Sequence, residues 1–237
     1  MAKRVMGVGA HPDDLEWYAG ATIANLARDG AEITFVICTE GEKGSYDAGA
    51  DEQQIAAQRK AEQRDAANAL GVRDVVFLGH ADGALTASAD LSRQLTALYR
   101  KHQPELLLAF DPWKRYELHP DHIAAGRAAL DARLAAKMPL YYSELRAEGS
   151  SAWAIGELWL FNADAPNHFV DVRDTLEVQH RALALHRSQT TVWDDAARAL
   201  IEENARENGK QIGVQYAEAF RRIVIEGALI VAKGTKI

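Results

Sequence analysis

The sequence predicts an α/β protein in which helices flank a mostly parallel sheet, with a C-terminal cap of short strands and helices. Strand-length apolar runs alternate with helical patterns over the first 137 residues, which is typical of right-handed βαβ units. The runs are apolar throughout, as in strands buried on both faces. Histidine and acidic residues concentrate in the loops after these runs, which meet at one sheet edge. The arrangement is Rossmann-like.

The strands and helices of the first 137 residues follow in pairs. The predicted strands are Val5–Ala10, Glu32–Cys38, Asp74–Leu78 and Leu106–Phe110. The helices predicted after them span about residues 15–28, 51–70, 88–102 and 120–136. Gly30 and Gly71 lie just beyond the first two helical patterns, where glycine commonly ends a helix.

The pattern changes after Met138. Two short apolar segments, 159–161 and 168–171, are flanked by turn-forming residues and predict a ribbon or edge strands. Two amphipathic helices are predicted at about 174–186 and 194–208, whereas residues 216–231 fit either a helix or a strand. Since we find no linker or repeat, we interpret 1–237 as one domain. Residues 1–137 form its βαβ core and 138–237 its C-terminal extension.

Composition excludes several classes of protein. The 237 residues are 48% hydrophobic and 26% charged, as in soluble globular proteins. The net charge of −7 argues against a nucleic-acid partner. The single cysteine, Cys38, allows no intrachain disulfide and fits a reducing cytoplasm. No apolar stretch is long enough for a signal-peptide core or a membrane span. We therefore expect a cytoplasmic protein, and the apolar C-terminus would allow a homo-oligomer.

The first candidate site is the loop after the first strand. It places His11, Asp13, Asp14 and Glu16 within six residues, and such a cluster is costly to bury unless a cation neutralises it. The simpler alternative is a helix cap, with Asp13 or Asp14 as the capping residue. Glu16 could cap the helix, orient His11 from behind, or face solvent.

A second cluster opens the fourth helix. His119 and His122 are three residues apart and can face the same side of that helix. Two histidines and one carboxylate with an open water position would form a hydrolytic zinc site, although Fe²⁺ accepts the same ligands. Chemistry alone leaves the choice open among His11, Asp13, Asp14, His119 and His122. Asp121 could hold a histidine ring in place.

Other polar and aromatic residues allow simpler interpretations. Arg59 and Glu62 are three apart on a polar helix, where a surface ion pair is the simpler interpretation, and Asp82 before Gly83 fits a turn. Cys38 fits a small buried hydrophobic residue better than a nucleophile. Several aromatic residues could stack on a sugar ring, and we expect only Trp113 and Tyr116 at the rim of the site. The aromatic candidates are Trp17, Tyr18, Trp113, Tyr116 and Trp193.

Ala10–Glu16 and His119–His122 together resemble the two hallmark motifs of the LmbE-like, or PIG-L, N-acetylglucosaminyl deacetylases. The similarity extends along nearly the whole chain. It includes Thr39–Glu42 with Gly44, Arg59 with Glu62, Ala66 and Leu70–Gly71, Leu78–Gly79, Asp82–Gly83, His186 with Ser188–Gln189, and Ala217–Arg221.

The resemblance implies a function for individual residues. It implies a metal held by His11, Asp14 and His122, with Zn²⁺ as the expected ion and Fe²⁺ as another divalent candidate. It further implies Asp13 as general base and His119 as the histidine that stabilises the intermediate. Arg59 and Asp82 would bind an amino sugar conjugate. The implied reaction removes an N-acetyl group from an N-acetylglucosamine-type conjugate.

Three alternatives remain at this stage. An amidase could cleave a larger acyl group from a glucosamine-containing thiol conjugate. A non-haem Fe²⁺ oxygenase would use the same ligand types, but strand–helix alternation disfavours it. A metal-stabilised binding module without turnover is hard to reconcile with Asp13 and His119, which would have no function there.

Overall fold

The parallel half of the molecule is built as the sequence predicts. The computed structural model describes residues 3–146, 150–189 and 195–225. In the first half, four strands alternate with four helices. These elements are β1 (Arg4–Gly9), α1 (Asp14–Arg28), β2 (Glu32–Thr39), α2 (Glu52–Ala69), β3 (Asp74–His80), α3 (Ala89–His102), β4 (Leu106–Phe110) and α4 (Pro120–Lys137).

The second half adds strands to the same sheet. Its strands and helices are β5 (Glu157–Phe161), β6 (His168–Asp171), α5 (Leu176–Leu183), α6 (Asp195–Lys210) and β7 (Ala217–Val224). The segment left open between helix and strand is therefore a strand over Ala217–Val224, while residues 226–231 lie outside the described part. Helix α5 is shorter than predicted, because a 3-10 turn, Arg187–Gln189, follows it.

The sheet order in the described residues is β3-β2-β1-β4-β5-β7-β6. Strands β1 to β5 run parallel, and β7 pairs antiparallel with both β5 and β6. Strands β1 and β4 are neighbours, so their following loops, 10–13 and 111–119, lie side by side at the carboxyl edge. This confirms the predicted fold class, and it places both motifs at the edge where open α/β sheets bind ligands.

The hydrophobic core lies on both sides of the central strands. Buried side chains of β1, β2 and β4 pack against α1, α3 and α4, and the same core includes Leu160, Phe161 and Phe220 from β5 and β7. Cys38 is fully buried at the end of β2, and burial raises the pKa of its thiol. The prediction of a buried apolar role for this residue is confirmed. None of the described helices is long and apolar enough to cross a membrane.

Candidate metal centre and active site

The two histidine motifs meet above the ends of β1 and β4. His11 lies in the loop between β1 and α1, and His119 is the residue that precedes the first turn of α4. The ring of His119 is centred 4.5 Å from the ring of His11 and 4.5 Å from that of His122. His122 also stacks on Phe110, the last residue of β4, at 4.2 Å. The fold therefore brings together residues more than a hundred positions apart in sequence.

Asp14 lies between the two histidines. Its Oδ2 is 3.5 Å from His11 Nδ1, and its Oδ1 is 3.3 Å from His122 Nε2. The same Oδ2 accepts hydrogen bonds from the backbone N–H groups of Ala10, at 2.8 Å, and His11, at 2.7 Å. These contacts fix the carboxylate against the loop, and they leave it directed at both imidazoles.

Asp13 points elsewhere, although it is adjacent to Asp14. Its Oδ2 accepts a hydrogen bond of 3.0 Å from Arg59 Nη2, and both side chains are buried. Asp13 precedes the first turn of α1, yet its side chain makes no capping hydrogen bond. The capping interpretation of the first motif is therefore wrong for Asp13, and Asp14 bonds to the preceding loop instead.

Asp82 and Asp121 approach the other nitrogen of His11. Their nearest oxygens, Asp82 Oδ1 and Asp121 Oδ2, are each 3.2 Å from His11 Nε2. Asp121 also accepts backbone N–H groups from Gly83, at 2.7 Å, and Leu85, at 3.1 Å. Asp82 is thus not merely a turn residue, because its loop is tied to α4 through Asp121 and its carboxylate faces the site.

The buried charge of the site is strongly negative. Asp13, Asp14, Asp82 and Asp121 are all buried there, with the Arg59 guanidinium among them. Burial lowers the pKa of His11, but the nearby carboxylates of Asp121, Asp14 and Asp82 outweigh it and raise that pKa to about 12. Burial also opposes ionisation of Asp14, yet contacts with His11 and His122 hold its pKa well below the usual range.

This demand for positive charge fits a divalent cation. Among the described residues, two sets have ligand atoms within 4.8 Å of one another: His11 with His119 and His122, and His11 with Asp82 and Asp121. The motif-implied set of His11, Asp14 and His122 has its contacts at 3.5 and 3.3 Å. The first grouping supplies three imidazoles, and the other two supply imidazole together with carboxylate; zinc and ferrous iron take both kinds of donor. The residues present therefore fit such an ion.

Asp13 and His119 have pKa values displaced in opposite directions. Burial raises the pKa of Asp13 to about 6, with the positive charge of Arg59 limiting the rise and the negative charge of Asp14 adding to it. Burial and the neighbouring His11 and His122 lower the pKa of His119. Near neutral pH, Asp13 is thus a carboxylate able to take a proton, and His119 is a neutral imidazole.

Arg59 and Glu62 do not form the surface ion pair considered from the sequence. Arg59 is buried and donates to the backbone oxygens of Gly41, at 2.9 Å, and Pro12, at 2.7 Å, as well as to Asp13. Glu62 instead accepts the hydroxyl of Ser188 at 2.6 Å. Helix α2 thereby connects the loops that carry Pro12 and Gly41 to the turn that follows α5.

Within the described part of the chain, Glu16 contacts neither solvent nor His11. It is completely buried, and it accepts a hydrogen bond of 2.6 Å from Gln63 Nε2. Its other oxygen lies 3.8 Å from His186 Nε2. The interpretations of Glu16 as a solvent-facing residue or a helix cap are therefore wrong.

A cavity of about 790 Å³ opens onto the histidine and aspartate side chains of the two motifs. Its volume is within the size range of small-molecule sites. Trp17, Tyr18, Lys43 and Leu200 contribute to its wall. Trp113 and Tyr116 do not line it and are 63% and 85% exposed. The choice of Trp113 and Tyr116 over Trp17 and Tyr18 was wrong, because α1 turns the latter two towards the cavity. Trp193 lies outside the described residues.

Sequence reasoning missed three residues beside the site. Glu117 Oε1 lies 3.4 Å from His122 Nδ1 and accepts the backbone N–H of His119 at 3.0 Å. Gln63 accepts the backbone N–H of Asp13 at 2.8 Å. His186, named from the sequence only as part of a C-terminal motif, lies against Glu16. Glu117 is two residues before His119 and Gln63 directly follows Glu62, so nearness to a motif was the signal that could have found them.

Comparison with known proteins identifies the family. The family model for PIG-L, described as GlcNAc-PI de-N-acetylase, matches residues 6–133. The chain belongs to the PIG-L family. Diacetylchitobiose deacetylase of Thermococcus kodakarensis is 30% identical over 224 residues, which cover 92% of this chain and 82% of that protein. The 1D-myo-inositol 2-acetamido-2-deoxy-alpha-D-glucopyranoside deacetylase of Actinosynnema mirum is 31% identical over 236 residues and covers 82% of this chain and 83% of its own.

Solved structures of the PIG-L fold agree with the architecture. The N,N'-diacetylchitobiose deacetylase of Pyrococcus horikoshii, complexed with an inhibitor, matches with a TM-score of 0.90 and 31% identity. That match covers 97% of this chain and 86% of the other. GalB, a 4-carboxy-2-hydroxymuconate hydratase from Pseudomonas putida, matches with a TM-score of 0.80 at 23% identity over 94% of this chain and 97% of its own. The second match shows the fold alone.

Proposed function

We propose that the chain is a divalent-metal-dependent N-deacetylase that removes an acetyl group from an N-acetylglucosamine-type amino sugar conjugate. One observation carries the proposal. The adjacent carboxylates Asp13 and Asp14 are directed to different partners, Asp14 to His11 and His122 and Asp13 to Arg59. A site for binding alone has no need of the second, separately held carboxylate.

In this proposal His11, Asp14 and His122 hold the ion, with Zn²⁺ the expected metal and Fe²⁺ the other candidate. When bound, such an ion acidifies a water molecule and polarises the amide carbonyl. The backbone N–H bonds of Ala10 and His11 keep Asp14 in place. Glu117 contacts His122 Nδ1, and Asp121 contacts His11 Nε2. Both are the ring nitrogens that face away from Asp14, so these contacts fix the orientation of the two rings.

Asp13 acts as the general base. Its carboxylate takes a proton from the attacking water, and a pKa of about 6 keeps it ionised near neutral pH while close enough to that pH for proton transfer. His119, with its pKa lowered, donates a hydrogen bond to the oxyanion that develops at the amide carbonyl. Asp13 then gives that proton to the amine nitrogen as the C–N bond breaks, and acetate is released.

Substrate binding is assigned to Arg59 and Asp82, both of which line the cavity with Trp17 and Lys43. Hydroxyl groups of a sugar can donate to the Asp82 carboxylate and accept from the Arg59 guanidinium where it lines the cavity. The activities named for the Thermococcus and Actinosynnema relatives, on diacetylchitobiose and on an inositol-linked 2-acetamido sugar, support an N-acetylated amino sugar.

The proposal is tested by metal analysis paired with an acetate-release screen. The screen uses diacetylchitobiose, an inositol-linked N-acetylglucosamine, and matched conjugates that carry longer acyl groups. We expect about one divalent ion per chain and acetate release that requires a 2-acetamido sugar. Preferential release of the longer acyl groups would instead establish the amidase alternative, and hydroxylation that depends on oxygen and a reductant would establish the oxygenase.

A further inference from the structure

The backbone of Asp13 has a strained conformation. Its φ is 101° and its ψ is −23°, in the left-handed region that residues other than glycine rarely adopt. Such a residue keeps its conformation only when surrounding contacts hold it, and residues of this kind cluster at functional sites. The strain falls on the residue proposed as the general base, so the contacts that maintain it bear on where its carboxylate points.

Gln63 makes one of these contacts. The backbone N–H of Asp13 donates to Gln63 Oε1 at 2.8 Å, and Gln63 Nε2 donates to Glu16 Oε1 at 2.6 Å. Gln63 is completely buried on α2. Because the amide oxygen meets an N–H donor and the amide nitrogen meets a carboxylate, only one orientation of the amide satisfies both bonds.

Glu16 is itself held from two sides. It lies on α1, where its backbone oxygen accepts a hydrogen bond of 2.8 Å from Gln179 Nε2 of α5. Its carboxylate oxygen Oε2 lies 3.8 Å from His186 Nε2, and both side chains are completely buried. A buried carboxylate needs such a partner, so the contacts from Gln63 to Glu16 to His186 join α2, α1 and the turn that follows α5.

We propose that Gln63 is a positioning residue for the deacetylation, in that it holds the peptide of Asp13 in the left-handed conformation and so directs the carboxylate into the cavity. The inference rests on the proposed function, in which Asp13 is the base. Glu16 and His186 act through Gln63, because they fix the amide that accepts the Asp13 N–H.

The proposed metal ligand Asp14 does not depend on this chain of contacts. Its carboxylate is held by the N–H groups of Ala10 and His11 and faces the two histidines. Loss of the Gln63 bond should therefore displace Asp13 and leave the metal affinity unchanged. This separates a positioning role from a general loss of packing.

The test compares Gln63→Met, which keeps the side-chain length but removes both hydrogen bonds, with the unaltered chain. We expect kcat to fall about 10- to 100-fold, the cost of misplacing a catalytic group by about an ångström. KM and zinc affinity, measured by competition with a chelating dye, should stay within about twofold of the unaltered chain. Gln53→Met, on the exposed first turn of the same helix, is the matched control and should retain full activity.

Two further variants keep the proposal falsifiable. Gln63→Glu keeps an oxygen that can accept from Asp13, and as a protonated acid it can also donate to Glu16, so it should recover part of the kcat lost in Gln63→Met. In an Asp13→Asn background, Gln63→Met should lower the residual kcat little further, because both changes act on one group. A full additional loss in that background would overturn the proposal, as would parallel losses of kcat and zinc affinity.

A crystal structure of Gln63→Met provides a readout independent of activity. We expect the φ of Asp13 to leave the left-handed region, whereas a φ that stays near 101° would overturn the proposal. Failure of the unaltered chain to release acetate from any substrate would count against the proposed function alone. The conformation of Asp13 in the variant would still decide the inference.

Discussion

At the residue scale, the adjacent Asp13 and Asp14 are proposed to have different roles, Asp13 as the general base and Asp14 as a metal ligand. Asp13→Asn removes the base but leaves the His11, Asp14 and His122 contacts intact. We expect metal content to stay near that of the unaltered chain while kcat falls about 10²- to 10⁴-fold, the usual contribution of a general base. Metal content and acetate release on the same preparation provide the check. An Asp13→Asn variant with full activity would remove Asp13 from the mechanism.

His119 distinguishes two possible sets of metal ligands. Its ring atoms lie within 4.8 Å of ligand atoms of His11 and His122, yet the motif resemblance gives it a role in stabilising the intermediate. We expect His119→Ala to keep the metal and lose most turnover, because its N–H would no longer reach the oxyanion. His122→Ala, measured in parallel, should lose the metal. Equal metal loss in both variants would place His119 among the ligands.

At the element scale, the loop after β2 must pass very close to Arg59. A Cβ added at Gly44 would lie 2.3 Å from Arg59 Nη1, whereas one at Gly49 in the same loop would meet only Asp47 Oδ1 at 3.4 Å. Since Arg59 is held by three hydrogen bonds, Gly44→Ala should displace its guanidinium from Asp13. We expect kcat/KM to fall on the order of 10-fold in Gly44→Ala.

Gly49→Ala is the matched control for that loop and should keep its activity. Melting temperatures of both variants show whether the loss in Gly44→Ala comes from unfolding. A Gly44→Ala variant with normal kcat/KM would show that Arg59 can move without consequence for the reaction.

Helix α1 and strand β7 are joined by a buried carboxylate. Glu218 accepts the backbone N–H groups of Ala21, at 3.1 Å, and Thr22, at 2.7 Å. Burial raises the pKa of Glu218 from 4.5 to about 7. Between these values the folded chain binds more protons than the unfolded chain, so its free energy of unfolding falls as pH rises.

Glu218→Gln removes this pH dependence. The free energy of unfolding of Glu218→Gln minus that of the unaltered chain should rise by on the order of 1–3 kcal/mol from pH 5 to pH 8. Urea denaturation at the two pH values measures this difference, with the exposed Glu207→Gln as the control. A difference that does not change with pH would mean that Glu218 is already ionised at pH 5 in the folded state.

Elements with a clear hydrophobic pattern could be predicted from the sequence, whereas elements that depend on strand pairing could not. Strands β1, β2 and β4 are continuous apolar runs, and α1 to α4 follow them with recognisable starts or stops. Strand β7 mixes aromatic, charged and aliphatic residues, because one edge pairs with β5 and the other with β6. Its structure depends on that pairing, and no local pattern shows it.

The same division applies to the site. His11, Asp14, His119 and His122 belong to two dense motifs, and parallel topology places such loops side by side. The contacts of Gln63 with Asp13 and of Glu16 with His186 join residues far apart on α1, α2 and the turn after α5. Only the tertiary arrangement creates them, so neither spacing nor composition could have indicated them.

At the scale of the whole molecule, we propose that residues 1–237 form one domain. Leu160, Phe161 and Phe220 of the C-terminal strands belong to the same hydrophobic core as β1, β2 and β4. Calorimetry should therefore show one unfolding transition, with equal calorimetric and van't Hoff enthalpies. Two resolved transitions, each assigned by limited proteolysis to one side of residue 138, would contradict this proposal.

The overall fold does not determine the reaction. A hydratase matches it with a TM-score of 0.80 at 23% identity, so the activity must be argued from side chains. In this chain three buried carboxylates and three histidines line one cavity, an arrangement that favours a bound cation. Acetate release should consequently depend on a bound divalent metal.

Metal reconstitution measures this dependence. The chain is stripped with a chelator, and Zn²⁺ is added back in steps while acetate release from an N-acetylated amino sugar conjugate is measured. We predict negligible release by the stripped chain and a linear rise that ends at about one Zn²⁺ per chain. Full release by the stripped chain, with no response to added Zn²⁺ or Fe²⁺, would show that the deacetylation needs no metal.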